Sequence, residues 1–247
     1  MATFYMRVQF NSDISKIRKF FTDAKLLNLI FSKDGITMMT LTGGEICYCV
    51  ATIHACDVYQ LRVDTSKWPQ GGVIRSIQPN ILLTFMKIKG STDDIVFEVD
   101  EAGLTLTVSI IGSTGNILRT VNINLMIPEQ VLEPAYMTYA NATLKVSDFK
   151  KLCLAMSKEQ KDIVLDAQSN AIRFIVSTGP IVYGIWNNNE SFYSCKIKNN
   201  IFKEVIKINI GNAKNSTTGI YIVPEYPLMI KAKLGIVDFL IYSKKWL

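Results

Sequence analysis

Apolar and polar residues alternate over Tyr5 to Phe10 and again over Ala142 to Val146. A period of two is the mark of a half-buried strand. Each alternating segment runs into a Ser-Asp pair, Ser12-Asp13 and Ser147-Asp148. After each pair the period changes: Ile14, Ile17 and Phe21 in the first case, Phe149, Leu152 and Met156 in the second, fall at helical spacing. A Ser or Asp ahead of such a stripe can cap the orphan N–H groups of a first helical turn. The pattern therefore predicts strand, cap and helix, twice, 135 residues apart.

The likeness continues in the same order. Gly35-Ile36-Thr37-Met38-Met39 aligns with Ala171-Ile172-Arg173-Phe174-Ile175, and Gly44 and Tyr48 align with Gly179 and Tyr183. Both read as strand, glycine-containing bend, strand. Asn80-Ile81-Leu82-Leu83 with Lys87 aligns with Asn200-Ile201-Phe202-Lys203 with Lys207, each predicting an Asn-capped apolar helix that carries lysine. Val99 to Leu104 aligns with Val223 to Leu228 as a turn between strands. Short apolar strings agree by chance, but ordered matches at offsets drifting only from 136 to 120 residues point to an internal repeat. The chain reads as two copies of one α+β module, each with two helices and eight or nine strands.

Composition narrows the function classes. Half of the 247 residues are apolar, ample for two cores, yet the apolar runs fall short of the ~18 residues of a membrane span. No apolar stretch follows a basic one at the N-terminus, so the expectation is an intracellular protein without a secretory signal. The five cysteines (Cys47, Cys49, Cys56, Cys153, Cys195) are odd in number and lack C-x-x-C spacing, as expected of buried reduced thiols. Sequons at Asn141, Asn189 and Asn215 are then chance matches. The single histidine, His54, lies in an alternating run from Ile46 to Ala55 and has no companion ligands for zinc. There is no phosphate-cradling, dinucleotide or nucleophile-elbow motif. Gly43-Gly44 and Gly71-Gly72 read as turns, and carboxylates are scattered. The expectation is a binding protein without metal, cofactor or catalytic residue. A net charge of +6 suits a polyanionic partner.

The repeat and its middle resemble the sliding-clamp family of proliferating cell nuclear antigen. Leu125-Met126-Ile127-Pro128-Glu129-Gln130 resembles the end of that family's interdomain connecting loop. Phe149-Lys150-Lys151-Leu152-Cys153 resembles the first helix of its second domain. Lys87 with Gly90-Ser91-Thr92-Asp93-Asp94-Ile95 resembles the end of the first domain's second helix and the strand after it, and Pro227-Leu228 onward to Tyr242-Ser243-Lys244 resembles the closing hairpin. The resemblance implies an α+β fold of two clamp modules with antiparallel sheets, module 1 over 1–118, a connecting loop over 119–136 and module 2 over 137–247. It implies a polymerase processivity factor, a homotrimeric ring around double-stranded DNA, with replication and repair proteins as partners and no membrane.

A ring that slides must hold phosphates without reading bases, which mobile lysine supplies. The repeat pairs Lys16 with Lys151 and Lys87 with Lys207; Arg18, Lys19, Lys25, Lys89, Lys150, Lys203 and Lys214 lie on or beside the same helices. The family's peptide-docking pocket carries over by position to Leu41, Glu45, Tyr48, Leu125, Ile127, Pro227 and Leu240. Its subunit edges carry over to Ile117–Asn124 and Tyr183–Ile197. Glu45 stands where cellular clamps often have histidine and Ser243 where they often have proline. Cellular clamps are also usually acidic outside the ring, whereas this chain is basic. That leaves two further readings, both of a divergent viral protein in the nucleus or at a cytoplasmic replication site. One is an open, monomeric or dimeric processivity factor of the herpesvirus type with a basic DNA face; the other is a transcription or scaffold protein on a clamp fold.

Overall fold

The computed structural model describes residues 2–9, 12–42, 47–68, 72–86, 93–128, 142–158, 163–168, 171–176, 179–183, 193–197, 199–207, 217–221 and 229–243. The first of two compact units comprises Met1–Thr40, Val50–Pro134 and Gly235–Asp238. Its elements, in chain order, are β1 (Phe4–Gln9), α1 (Ser12–Phe20), β2 (Leu27–Ser32), β3 (Gly35–Thr42) and β4 (Cys47–His54). A 3-10 turn at Ala55–Asp57 leads to β5 (Gln60–Val63), β6 (Gly72–Ile77), α2 (Pro79–Phe85), β7 (Asp94–Val99), β8 (Thr105–Ile111) and β9 (Ile117–Asn124).

The alternation in β1 does what its period demands. Phe4, Met6 and Val8 are buried, while Tyr5, Arg7 and Gln9 point to the other face. β1 runs antiparallel between β5 and β7 in a sheet of order β5-β1-β7-β8-β9, with Phe4 opposite both Val63 and Val99. A second sheet orders β4-β3-β2-β6. Gly35 opens β3 at φ 125°, and a Cβ there would collide with the carbonyl oxygen of Ile53, so the position requires glycine. Helix α1 buries Ile14, Ile17 and Phe20, and the core closes around Phe4, whose ring meets Phe31 edge-on at 5.1 Å. Each such side chain contributes roughly 1.5–3 kcal/mol by burial. The start of α2 differs from the expected Asn80 cap. Gln78 occupies the cap without a side-chain bond and Pro79 takes the first helical position, where its fixed φ and missing N–H suit the turn.

The second unit comprises Leu41–Cys49, Ala135–Leu234 and Phe239–Leu247. It contains β10 (Ala142–Lys145), α3 (Val146–Met156), β11 (Ile163–Gln168), β12 (Ala171–Val176), β13 (Gly179–Tyr183), β14 (Tyr193–Ile197), α4 (Asn200–Lys207), β15 (Thr217–Tyr221), β16 (Met229–Leu234) and β17 (Val237–Ser243). β10-β15-β16-β17 reproduces β1-β7-β8-β9, and β13-β12-β11-β14 reproduces β4-β3-β2-β6. The repeat seen in the sequence is thus a repeat of topology. The core of the second unit gathers Phe149, Leu152 and Met156 of α3 with Ile201, Phe202 and Val205 of α4. Phe174 meets Phe202 edge-on at 5.7 Å.

One boundary moves. Residues 119–124, expected in the connecting loop, form the end of β9, because their backbone continues the ladder with β8 from Ser109↔Thr120 to Thr105↔Asn124. The connecting segment opens at Leu125, whose N–H donates to the Leu104 carbonyl at 2.8 Å. Met126 exchanges two backbone hydrogen bonds with Ser76, of 2.8 and 2.9 Å, and so ties the segment to β6.

Candidate functional site

The helices carry the cations that sequence reasoning singled out, and the hydrophobic stripe decides which way each one points. On α1, Ile14 and Ile17 face the core, leaving Lys19 exposed and Lys16 and Arg18 half-buried at the margins. Lys25 is exposed just beyond the helix. On α3, Phe149, Leu152 and Cys153 are buried, so Lys150 and Lys151 are exposed. On α4, Lys203 is exposed for the same reason. Exposed ammonium groups on helix backs keep their hydration and reach, which suits non-specific phosphate contact. Lys87, Lys89 and Lys214 lie outside the described residues.

Lys207 has a different environment from the other lysines. Its Nζ lies 2.9 Å from both carboxylate oxygens of Glu204, one turn earlier on α4. Glu204 is only 4% exposed, a charge inside the apolar stripe between Phe202 and Val205. A buried carboxylate demands a counter-charge, and Lys207 supplies it. The Cys49 thiol is 4.0 Å from Glu204 and directed at it. Burial, and secondarily the negative charge of Glu204, push the Cys47 thiol up to about 12. Glu204 was not singled out in the sequence. Its signal is a lone acid among apolar residues with a lysine three positions on.

The residues expected to line a peptide pocket divide between the units. In the first, Leu125 is buried and Ile127 is 78% exposed. In the second, Leu41 and Leu240 are half-buried, and the Tyr48 ring stacks on buried Tyr242 at 4.7 Å. That stack and the anchored Leu125 are packing roles, whereas Ile127 presents an apolar side chain to solvent. Glu45 and Pro227 lie outside the described residues.

Of the expected subunit edges, Ile117–Asn124 is β9, the terminal strand of its sheet. Tyr183, by contrast, ends β13 and Tyr193–Ile197 is β14, at opposite edges of the four-stranded sheet, with 184–192 outside the described residues. On β9, Ile117 and Leu118 are 66% and 55% exposed, and Arg119 lies over the Phe85 ring at 5.5 Å.

The remaining chemistry is structural. His54 Nε2 sits 3.1 Å from Asp238 Oδ2. Among the described residues no group of acids, cysteines and histidine could hold a metal ion. Cys47, Cys49 and Cys153 are buried free thiols as expected, but Cys56 is exposed, because the 3-10 turn lifts it off the sheet. The Cys195 side chain lies outside the described residues. Among the described residues no helix is long and apolar enough to cross a membrane.

No protein-family model matches the sequence, and no curated protein sequence matches it. The fold has solved counterparts. It is similar to the crystal structure of proliferating cellular nuclear antigen from Entamoeba histolytica, with a TM-score of 0.73, 13% identity and 100% of both chains covered. At that identity the likeness establishes the fold alone: this chain has the two-module α+β clamp fold over its whole length.

Proposed function

We infer that this protein is a DNA sliding clamp, a non-enzymatic processivity factor that encircles duplex DNA and docks replication and repair proteins. The observation that carries the reading is an incomplete repeat. In the second unit the segment Leu41–Cys49 brings the start of β4 alongside β17, and Tyr48 stacks on Tyr242 across that pair. The repeat equates β17 with β9 and β4 with β13, through Tyr48 and Tyr183. Yet among the described strands β9 and β13 are both sheet edges. The neighbour that β9 lacks is therefore β13 (Gly179–Tyr183) of a second copy, a heterologous contact that closes into a ring when the rotation allows. Exposed Ile117 and Leu118 on an otherwise vulnerable edge agree with a covered strand. Three copies would present twelve helices with Lys16, Arg18, Lys19, Lys25, Lys150, Lys151 and Lys203 as the phosphate-facing set. Ile127 is the exposed anchor for partner peptides.

The net charge of +6 favours a second reading, an open monomer or dimer with a basic DNA face. Light scattering on a sizing column, over a range of concentrations, separates the two. A mass three times the 27.8 kDa chain, collapsing to one chain mass in Leu118→Asp, is the expected result. A monomer or dimer at every concentration would eliminate the ring.

A further inference from the structure

The facing sides of α1 and α2, both in the first unit, border an open cleft of about 220 Å³ lined by Arg18, Thr22, Asn80, Leu83 and Thr84. The lining follows from two stripes at helical spacing. Arg18 and Thr22 are four residues apart at the C-terminal end of α1, and Asn80 and Thr84 are four apart on α2. Leu83, 7% exposed, forms an apolar floor. Among the described residues no carboxylate lines the cleft, so its charge is that of the Arg18 guanidinium. The Thr22 hydroxyl is engaged, donating to the Arg18 carbonyl at 3.0 Å, which holds the last turn of α1 in place. The Asn80 amide and Thr84 hydroxyl make no hydrogen bond to a described residue.

We propose that this cleft seats a single phosphate group, through the planar fork of Arg18 with Thr84 and Asn80 as neutral donors. The geometry differs from that of the helix lysines. A lysine on an exposed helix face is a mobile point charge, whereas the half-buried Arg18 guanidinium presents a planar fork to an oxyanion, with the exposed Asn80 and Thr84 side chains lining the same cleft as neutral donors. The volume admits a phosphate and part of a sugar, not a base pair. The phosphate can belong to the backbone of duplex DNA or to a small phosphate compound. The first source rests on the clamp reading above and adds to it a discrete station on an otherwise diffuse basic face.

The test is a titration of the full-length protein with a 30-base-pair duplex by fluorescence anisotropy, and separately with inorganic phosphate by amide NMR. The variants are Arg18→Lys, Thr84→Val and, as a control, Lys19→Ala. Arg18→Lys keeps the charge and removes the fork, and Thr84→Val changes no charge at all. A seat of this kind loses about tenfold or more in duplex affinity on Arg18→Lys and on Thr84→Val, the scale of one hydrogen bond to a charged group. Lys19→Ala should weaken binding mildly and lower its salt dependence. If the duplex binds but both cleft variants match the wild type, the seat is overturned and the clamp reading stands. If the duplex does not bind at all, the clamp reading fails. Phosphate-dependent shifts at Thr22 and Thr84 that vanish in Arg18→Lys would then assign the cleft to a small phosphate compound. Their absence would overturn the seat as well. Unchanged circular dichroism in each variant guards against loss of fold.

Discussion

Replacing Lys207 with alanine should unfold the protein more readily without weakening its hold on DNA. In the folded chain both oxygens of Glu204 lie 2.9 Å from Lys207 Nζ, and the Glu204 side chain is 5% exposed. Removing one partner of a buried pair leaves an uncompensated charge, at a typical cost of about 3–5 kcal/mol. The Lys207 side chain is 26% exposed, so water can enter the space it vacates and the cost falls to or below the bottom of that range, about 2–3 kcal/mol. For a chain of this size each kcal/mol moves the melting temperature by about 2–4 °C, giving a drop of about 4–12 °C. Removing both charges, as Glu204→Leu with Lys207→Met, should recover most of the loss, because the volume is kept and no charge remains. Lys203→Ala on the exposed face should hardly change the melting temperature, yet lower the slope of log affinity against log salt by about 0.9. Thermal unfolding by circular dichroism and a salt series of duplex binding read both effects. A Lys207→Ala protein with an unchanged melting temperature and a reduced salt slope would refute the argument and return Lys207 to the DNA-facing set.

Asp100 accepts the N–H groups of Leu104 at 2.8 Å and Thr105 at 3.2 Å in the β7–β8 turn. Partial burial raises its pKa, but these bonds outweigh it and hold the carboxyl below its ordinary 3.8. The folded value is depressed, so the contribution is complete above the unfolded value and lost as pH falls through the folded one. The stability gap between wild type and Asp100→Asn should be widest near neutrality and close below pH 3.8; a gap independent of pH would contradict it. In the native protein a thiol reagent at pH 8 should modify Cys56 and spare Cys47, whose thiolate fraction at a pKa of about 12 is about one in ten thousand. Mass spectrometry of labelled peptides checks this, and rapid labelling of Cys47 in folded protein would exclude such burial. Thr218 is fully buried and its hydroxyl lacks a hydrogen-bond partner among the described residues. Thr218→Val, of the same shape, should raise stability by about 1 kcal/mol in urea unfolding, and a destabilised variant would mean that the hydroxyl is in use.

The division between what was legible in the chain and what was not follows the range of the forces involved. Periodicity is local, so the strand-to-helix openings at Tyr5–Phe21 and Ala142–Met156 and the turn at Asp100–Gly103 are written in consecutive residues, although α1 includes Ser12 and α3 opens at Val146, so the expected Ser-Asp caps fall inside the helices. Repetition of that local pattern was enough to expect two α+β modules. The same locality explains the errors. Asn80 was read as a cap because caps are read by residue type, yet Pro79 starts the helix one position earlier. The resemblance set residues 119–124 inside the connecting loop, but their ladder with β8 makes them the end of β9. Tertiary structure alone decided that Lys207 answers a buried Glu204 while Lys203, four residues before it, faces solvent. It alone brought Arg18 opposite Thr84 across two helices separated by some sixty residues of chain. A side chain's charge is fixed by its type, but what that charge does depends on dielectric and neighbours, and those exist only once distant segments have packed.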